Sequence, residues 1–225
     1  MNNFEKLGNI GKGSFAEVYL VRYKEDNKMY AMKQINIGKM PKSEQESALN
    51  EVRILASIEH PNIIDFKETF INEKDKTLNI IMEYASDKDL LTKIKYYKLM
   101  SKQISENVIW EYLIQMIFGL KVLHEKKVIH RDLKSANVFV SGNIIKIGDF
   151  NISKIIKNNF VISSQTGTPY YASPEVWSEK PYDYRTDIWS MGCIIYELCS
   201  FRPPFLGMTA DELYRNVLKG NKIFN

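Results

Sequence analysis

Apolar and polar residues alternate at period two through the first third of the chain. Phe4 to Ile10, Glu17 to Tyr23 and Lys28 to Ile37 carry β-branched and aromatic residues in that alternation, which predicts three strands. The segments between them, Gly11-Lys12-Gly13-Ser14 and Lys24-Glu25-Asp26-Asn27, consist of turn-forming residues. A helix is expected next. Ser43 and Glu46 make a capping-box pattern, and Leu49, Val52, Leu55 and Ile58 recur at helical spacing until His60-Pro61-Asn62. Strands near Ile63 to Phe70 and Leu78 to Glu83 would complete a five-stranded antiparallel sheet.

After Tyr84 the texture becomes helical. Ser105 stands where it can cap a long amphipathic helix with Ile109, Leu113, Met116, Ile117, Leu120 and Leu123 on one face. A loop from Lys126 to Asn137 leads to two short strands, Val138 to Val140 and Ile144 to Ile147. An irregular stretch runs from Asp149 to about Glu175. Helices at Thr186 to Ser200 and near Ala210 to Lys219 follow. A sheet region joined by one short connector to a helical region is an α+β layout with a cleft expected between two lobes.

Composition narrows the class without choosing a function. The 225 residues are 44% hydrophobic and 26% charged, with 11 Gly and 7 Pro, which excludes collagen, low-complexity coil and a disordered acidic tail. Thirty-one basic residues against 27 acidic leave a net charge of +4. That surplus is too small and dispersed to argue for nucleic acid, and suits a mildly basic cleft for a phosphorylated ligand equally well. Cys193 and Cys199 lie six positions apart in one expected helix, about 9 Å along its axis and out of disulfide reach. Asn2, Asn3, Glu5 and Lys6 after Met1 do not read as a secretory leader, and the apolar runs are too short to span a bilayer. A reducing, cytoplasmic setting without membrane contact is the expectation.

Three segments carry candidate chemistry. Gly11 and Gly13 at a hairpin tip let backbone N–H groups approach a phosphate, although a Gly-rich hairpin is also a plain turn. The dinucleotide fingerprint is excluded there, because a strand follows rather than a helix. Lys33 in Tyr30-Ala31-Met32-Lys33 would ordinarily be a solvated strand residue. Glu51 on the following helix, if laid across the sheet, can fix its ammonium to hold phosphate oxygens. The strongest segment is His130-Arg131-Asp132-Leu133-Lys134-Ser135-Ala136-Asn137. Asp132 can orient and deprotonate a hydroxyl, Lys134 can neutralise a transferring phosphoryl, and Asn137 can ligate Mg²⁺. Asp149, twelve residues after Asn137, offers a hard carboxylate to the same ion.

These segments, in this order and followed by Ser173-Pro174-Glu175, resemble a eukaryotic protein kinase catalytic domain over essentially the whole chain. Leu49-Asn50-Glu51-Val52, Asn137-Val138-Phe139 and Gly167-Thr168-Pro169-Tyr170-Tyr171 resemble the NIMA-related serine/threonine kinases within it. The resemblance implies a bilobal α+β fold: residues 1–83 a small sheet lobe with one helix, 84–87 the hinge, and 88–225 a larger, mainly helical lobe. Against the family, that last lobe is expected to break off after the αG-like helix near Lys219, so that the last helices and the arginine partner of Glu175 are missing.

The roles implied are as follows. Ile10, Gly11, Lys12, Gly13 and Ser14 would cover the ATP phosphates, Val18 and Ala31 the adenine from one side, and Phe139 from the other. Lys33 with Glu51 would hold phosphate oxygens, Met82 would be the gatekeeper, and Glu83 to Ala85 would hydrogen-bond the base. Asp132, Lys134 and Thr168 would act at the transfer, Asn137 and Asp149 on Mg²⁺, and Asp187 would anchor the catalytic loop. Arg131 would pair with a phosphate on Ser164 or Thr166. Ala16 stands where a third glycine is usual, and Asn151 replaces the glycine usual after Asp149-Phe150. The activity implied is transfer of the ATP γ-phosphate to protein Ser/Thr hydroxyls, the alternative being a pseudokinase or nucleotide-binding scaffold. Protein substrates are the implied partners. Cell-cycle or cytoskeletal partners, and a centrosomal or ciliary site, follow by family analogy alone.

Overall fold

The computed structural model describes residues 3–13, 16–38, 40–150 and 169–221, apart from the side chains of Glu44, Ser47 and Glu51. Ser14, Asn151, Ser164, Thr166 and Thr168 lie outside the described residues, as does the side chain of Glu51. The described residues form two compact units: 3–60 with 64–85, and 61–63 with 86–150 and 169–221.

The first unit is a five-stranded antiparallel sheet in the order β1-β2-β3-β5-β4, with strands Phe4–Lys12 (β1), Ala16–Tyr23 (β2), Met29–Asn36 (β3), Phe66–Asn72 (β4) and Thr77–Glu83 (β5). Alternation gives the sheet its two faces. On one, Val21, Met32 and Ile81 are buried with Phe4, Tyr19, Tyr30 and Phe70 packed against them. The glycine hairpin is shorter than expected. Gly11 and Lys12 still pair with Val18 and Glu17 in the ladder, and the Gly13 N–H donates to the Ala16 carbonyl at 2.8 Å.

The helix α1 (Lys42–Ala56) departs from its expected start and stop. Pro41 occupies the N-cap position with φ −55° and ψ 149°, so Ser43 sits inside the first turn and the capping box does not form. Proline's fixed φ already suits a helix entrance, and the Gln45 amide secures the entry by donating to the carbonyls of Ile37 and Met40. The helix ends at Ala56, short of His60. Ala48, Val52 and Leu55 are its buried positions, and it packs along β4.

The second unit opens with α2 (Leu90–Leu99), which the apolar pattern does not resolve. Its local signal is Asp89, whose carboxylate accepts the Thr92 N–H at 2.8 Å as an N-cap. In α3 (Glu106–Glu125) Ser105 takes the N-cap position, without a side-chain cap bond. The buried face is Tyr112, Met116, Gly119, Leu120 and Leu123; Ile117 is exposed, contrary to its expected place in the core. Tyr112 replaces it because the apolar stripe is displaced around the helix, leaving Trp110, Ile114, Ile117 and Phe118 outward. A 3₁₀ turn (Ser135–Asn137) precedes the hairpin of β6 (Val138–Ser141) and β7 (Ile144–Ile147), which turns at Gly142 with φ +59°. Among the described residues three helices follow: α4 (Pro174–Trp177), α5 (Arg185–Ser200) and α6 (Ala210–Lys219).

Residues 61–63 join this unit through Asn62. Its carbonyl accepts the Ile147 N–H at 2.9 Å, and its side-chain amide donates to Gln115 and to the Ile145 carbonyl. Gly119 allows that approach. A Cβ there would lie 2.9 Å from the Asn62 carbonyl oxygen and 3.0 Å from Ile147 Cδ1. No described helix is long and apolar enough to cross a membrane.

Candidate active site

In the sheet unit, backbone register assembles one set of candidates. Directly opposed residues on neighbouring strands point to the same side, and so do residues two apart on one strand. Gly11 opposes Val18, Val18 opposes Lys33, and Lys33 opposes Ile80. In the adjacent row Leu20 opposes Ala31, and Ala31 opposes Met82. Gly11, Val18, Ala31, Lys33 and Met82 therefore share one face, opposite the Met32 and Ile81 face. Lys33 is only 7% exposed, and Ala31 is likewise buried. Ile10 is exposed, and so are Lys12 and Gly13 at the hairpin tip. At the end of β5 the Glu83 N–H donates to the Asp65 carbonyl at 2.8 Å, which fixes the strand where it runs into Tyr84 and Ala85.

In the helical unit a hydrogen-bond framework replaces register. Asp187, in the first turn of α5, is 1% exposed and accepts three donors. Its carboxylate takes the His130 N–H at 2.9 Å and the Arg131 N–H at 3.1 Å, and contacts His124 Nε2 at 2.9 Å. A buried carboxylate is tolerable with its oxygens satisfied in this way. The anchor holds a kinked backbone, because Arg131 has a left-handed φ of +66°. His130 also steadies Asp132, two residues on. Its Nε2 meets the Gly148 carbonyl at 2.9 Å, and a carbonyl only accepts, so the proton is on Nε2 and Nδ1 faces the Asp132 N–H at 3.4 Å. The His130 ring also packs on Phe150, with centroids 5.0 Å apart.

Held from below, the Asp132 carboxylate meets two side chains. Lys134 Nζ donates to Oδ2 at 2.9 Å. The Asn137 amide donates to the Asp132 carbonyl at 2.8 Å and to Oδ2 at 3.3 Å. With its NH₂ turned to Asp132, Asn137 directs its own carbonyl oxygen elsewhere. The neighbouring strand enters the same region, since the Gly148 N–H donates to the main-chain carbonyl of Asn137 at 3.0 Å and Asp149 follows with φ +53°. Asp132, Lys134, Asn137 and the Asp149 backbone thus converge. Phe139 pairs across the hairpin with Lys146, on the side away from buried Val138 and Val140. Arg131 Nε is buried with no acceptor among the described residues.

Three contributors escaped sequence reading. His124 donates to the Asp187 cluster from α3, while Tyr171 donates a part-buried hydrogen bond to Glu197 at 2.6 Å. Tyr171 lies in the Gly167-to-Tyr171 motif but without an assigned role there, and only the helical positions of His124 and Glu197 hint that they face inward. Arg185 pairs with Asp183 at 2.9 Å.

Residues 4–225 match the model of the protein kinase domain. Among curated proteins the chain is 38% identical over 224 residues to the human serine/threonine-protein kinase Nek5, covering 98% of this chain and 31% of that protein. It is 38% identical to mouse serine/threonine-protein kinase Nek3, covering 98% and 42%, and 39% identical to a probable serine/threonine-protein kinase nek3 of Dictyostelium discoideum, covering 98% and 20%. The chain thus spans between about a fifth and two fifths of the length of these relatives. With a sheet face that carries Lys33, and Asp132 and Asn137 joined in the loop before β6, the chain belongs to the protein kinase domain family, in the neighbourhood of its Nek serine/threonine kinases.

Proposed function

We propose that the chain transfers the γ-phosphate of ATP to serine or threonine hydroxyls of proteins, with Mg²⁺. The observation that carries this reading is the Asp132 carboxylate, fixed by Lys134 and Asn137 in a loop anchored on Asp187. A carboxylate placed so can orient an acceptor hydroxyl and accept its proton as the oxygen attacks phosphorus. The new O–P bond forms on the acceptor, the bond to the bridging oxygen breaks, and ADP leaves. Lys134, 2.9 Å from Asp132, stands to stabilise charge that accumulates on the transferred group.

The donor set suits a hard cation. Asn137 has its amide nitrogen committed to Asp132, which leaves a carbonyl oxygen, and Asp149 supplies a carboxylate. One or two such oxygens, with phosphate oxygens completing the sphere, are what Mg²⁺ requires. Bound there, Mg²⁺ would neutralise phosphate charge. Lys33, with Glu51 as its expected partner, would hold the remaining phosphate oxygens. Val18, Ala31 and Met82 would supply an apolar surface for the base, and Phe139 is proposed as a further apolar contact for it. Glu83 and Ala85 would offer backbone groups to its edge.

Arg131 suits regulation. A buried guanidinium nitrogen with no acceptor among the described residues calls for one, and a phosphate on Ser164 or Thr166 would provide strong acceptors. The kinase reading is tested by radiolabelled transfer from γ-labelled Mg-ATP to a generic protein acceptor. The unaltered chain is expected to transfer, and Asp132→Asn to lose at least about 10²-fold in kcat while it still binds ATP. ATP binding without transfer by the unaltered chain would establish the scaffold alternative instead.

A further inference from the structure

The surplus of positive charge, expected to be dispersed, is concentrated. Residues 90–105 contain Lys93, Lys95, Lys98 and Lys102 and no Asp or Glu, and without these four the chain carries 27 basic and 27 acidic residues. One segment, α2 and the turn after it, therefore holds the whole net +4. The acids that bound it in sequence are engaged. Asp89 accepts the Thr92 N–H as the N-cap of α2, and Glu106 accepts the Trp110 indole N–H at 3.2 Å.

The packing of α2 separates the lysines. Leu90 and Ile94 are its buried residues, and half-buried Lys93 donates to the Tyr112 hydroxyl at 2.6 Å. Lys95, Lys98 and Lys102 are exposed. None of the three has an ion-pair partner among the described residues, and Lys98 reaches only the Phe201 carbonyl, at 3.4 Å. Among them stand three large apolar side chains that the fold leaves in water: Tyr96 at 54% exposed, Leu99 at 81% and Met100 at 48%. Helical spacing groups them, since Lys95 and Leu99 are four apart on one face, and Tyr96 and Met100 four apart beside it. A single exposed apolar residue needs no explanation. Three adjoining ones rimmed by cations mark a contact surface.

Charge complementarity asks for an anionic partner, and the side chains choose among the anionic classes. Binding to bare nucleic acid strands relies on aromatic planes for the bases, and Leu99 and Met100 have none. Protein interfaces are enriched in Arg, whose planar fork pairs carboxylates bidentately, and depleted in Lys; here every cation is a lysine. A layer of anionic headgroups needs only point charges held near it. It also takes aliphatic side chains into its acyl boundary and a tyrosine at headgroup level. We propose that the C-terminal end of α2 docks on an anionic lipid bilayer, with Leu99, Met100 and Tyr96 entering the interface and Lys95, Lys98 and Lys102 on the headgroups. Such a contact is peripheral, so it needs no helix able to cross the membrane. It is also independent of the transfer reaction, because none of these residues takes part in it.

The test is co-sedimentation of the whole chain with large vesicles of phosphatidylcholine alone, and of phosphatidylcholine with about a third phosphatidylserine. Each lysine near such a surface is worth about fivefold in partition, so the mixed vesicles are expected to bind about 100-fold more tightly. Raising salt from about 0.1 M to about 0.5 M should remove most of that preference. Lys95→Gln with Lys102→Gln is expected to lose about 25-fold on mixed vesicles, and Leu99→Ser with Met100→Ser about 10-fold. Lys28→Gln with Lys180→Gln, two exposed lysines from other elements, is the matched control and should stay within about threefold of the parent. Equal partition of the parent on the two vesicle types overturns the proposal, and that comparison needs no variant to fold. So does a control that loses as much as the Lys95 and Lys102 pair, which would make the attraction one of net charge alone. An unchanged Leu99 and Met100 variant overturns the apolar half, and with it the docking. Binding to soluble polyglutamate but to neither vesicle would assign the surface to an acidic protein and overturn the proposal as well.

Discussion

In the sheet unit, Val18, Lys33 and Ile80 are neighbours because three paired backbones make them so; in the helical unit, Asp132, Lys134 and Asn137 are neighbours because side chains from distant segments hold a loop in shape. The first arrangement is distributed. Each ladder bond contributes a little, and no single side chain is needed to keep Lys33 in its row. The second is concentrated. Asp187 alone satisfies two consecutive backbone N–H groups and a histidine, across 57 and 56 residues of sequence for the backbone pair. Replacing one side chain should therefore cost the two units very different amounts of stability, even where it costs equal activity.

The largest effect is expected at Asp187. Removing its carboxylate leaves the amides of His130 and Arg131 buried without acceptors and His124 without its partner. Loss of one member of such a buried set costs about 3–5 kcal/mol. Asp187→Ala should lower the urea midpoint accordingly and abolish transfer. The chain's three tryptophans, Trp110, Trp177 and Trp189, all lie in the helical unit, so their fluorescence reports on the right half. A loss of less than about 1 kcal/mol would show that the framework is redundant, and would erase the contrast between the units.

A middle-sized effect belongs to Gly119, where α3 meets Asn62 and β7. An added Cβ must sit 2.9 Å from a backbone oxygen, and backbone cannot swing aside as a long side chain can. Gly119→Ala gains helix propensity of about 1 kcal/mol, yet overpacking of this kind costs about 1–3 kcal/mol. The net change expected in the same urea measurement is a loss. A stabilised Gly119→Ala variant would mean that residues 61–63 can move away from α3, and that their attachment to the helical unit is looser than the Asn62 bonds suggest.

Legibility in the sequence follows the same division. Period-two alternation placed the first three strands within a few residues, and the other two were expected near their observed places; the face shared by Val18, Ala31 and Lys33 emerged only from the register between strands, Val18 and Ala31 having entered by resemblance. Helix α6 was legible to the residue. The loop His130 to Asn137 was legible as chemistry, through the types and spacing of its residues. Its support was only partly so. Asp187 entered by resemblance, while the Asn62 bridge and the Tyr171–Glu197 bond depend on approaches between segments that no local period encodes. Failures at α1 and α3 have the same root. The Ser43 pattern competes with a proline that already presets the entrance, and an apolar residue such as Ile117 can belong to either edge of a broad stripe, so packing against Asn62 and β7 decides which edge is buried.

The smallest effect on stability, paired with a large one on activity, is expected at Lys33, and it sharpens the comparison most. Lys33 is buried between Val18 and Ile80 in a row fixed by the ladder. Methionine has nearly the same length and no charge, so Lys33→Met removes the ammonium and keeps the filling. Removing a buried ammonium also removes its desolvation cost, which offsets part of what its own contacts contribute, and the strand pairing does not depend on the side chain. The expected change in unfolding free energy is within about 1 kcal/mol of the parent, followed by far-ultraviolet circular dichroism so that the sheet is observed. Transfer should nonetheless fall by about 10²-fold or more, because a preorganised cation at the phosphates would be lost. Should Lys33→Met destabilise the sheet by as much as Asp187→Ala destabilises the helical unit, the lysine is a structural brace, and the two units hold their functional residues by the same means after all.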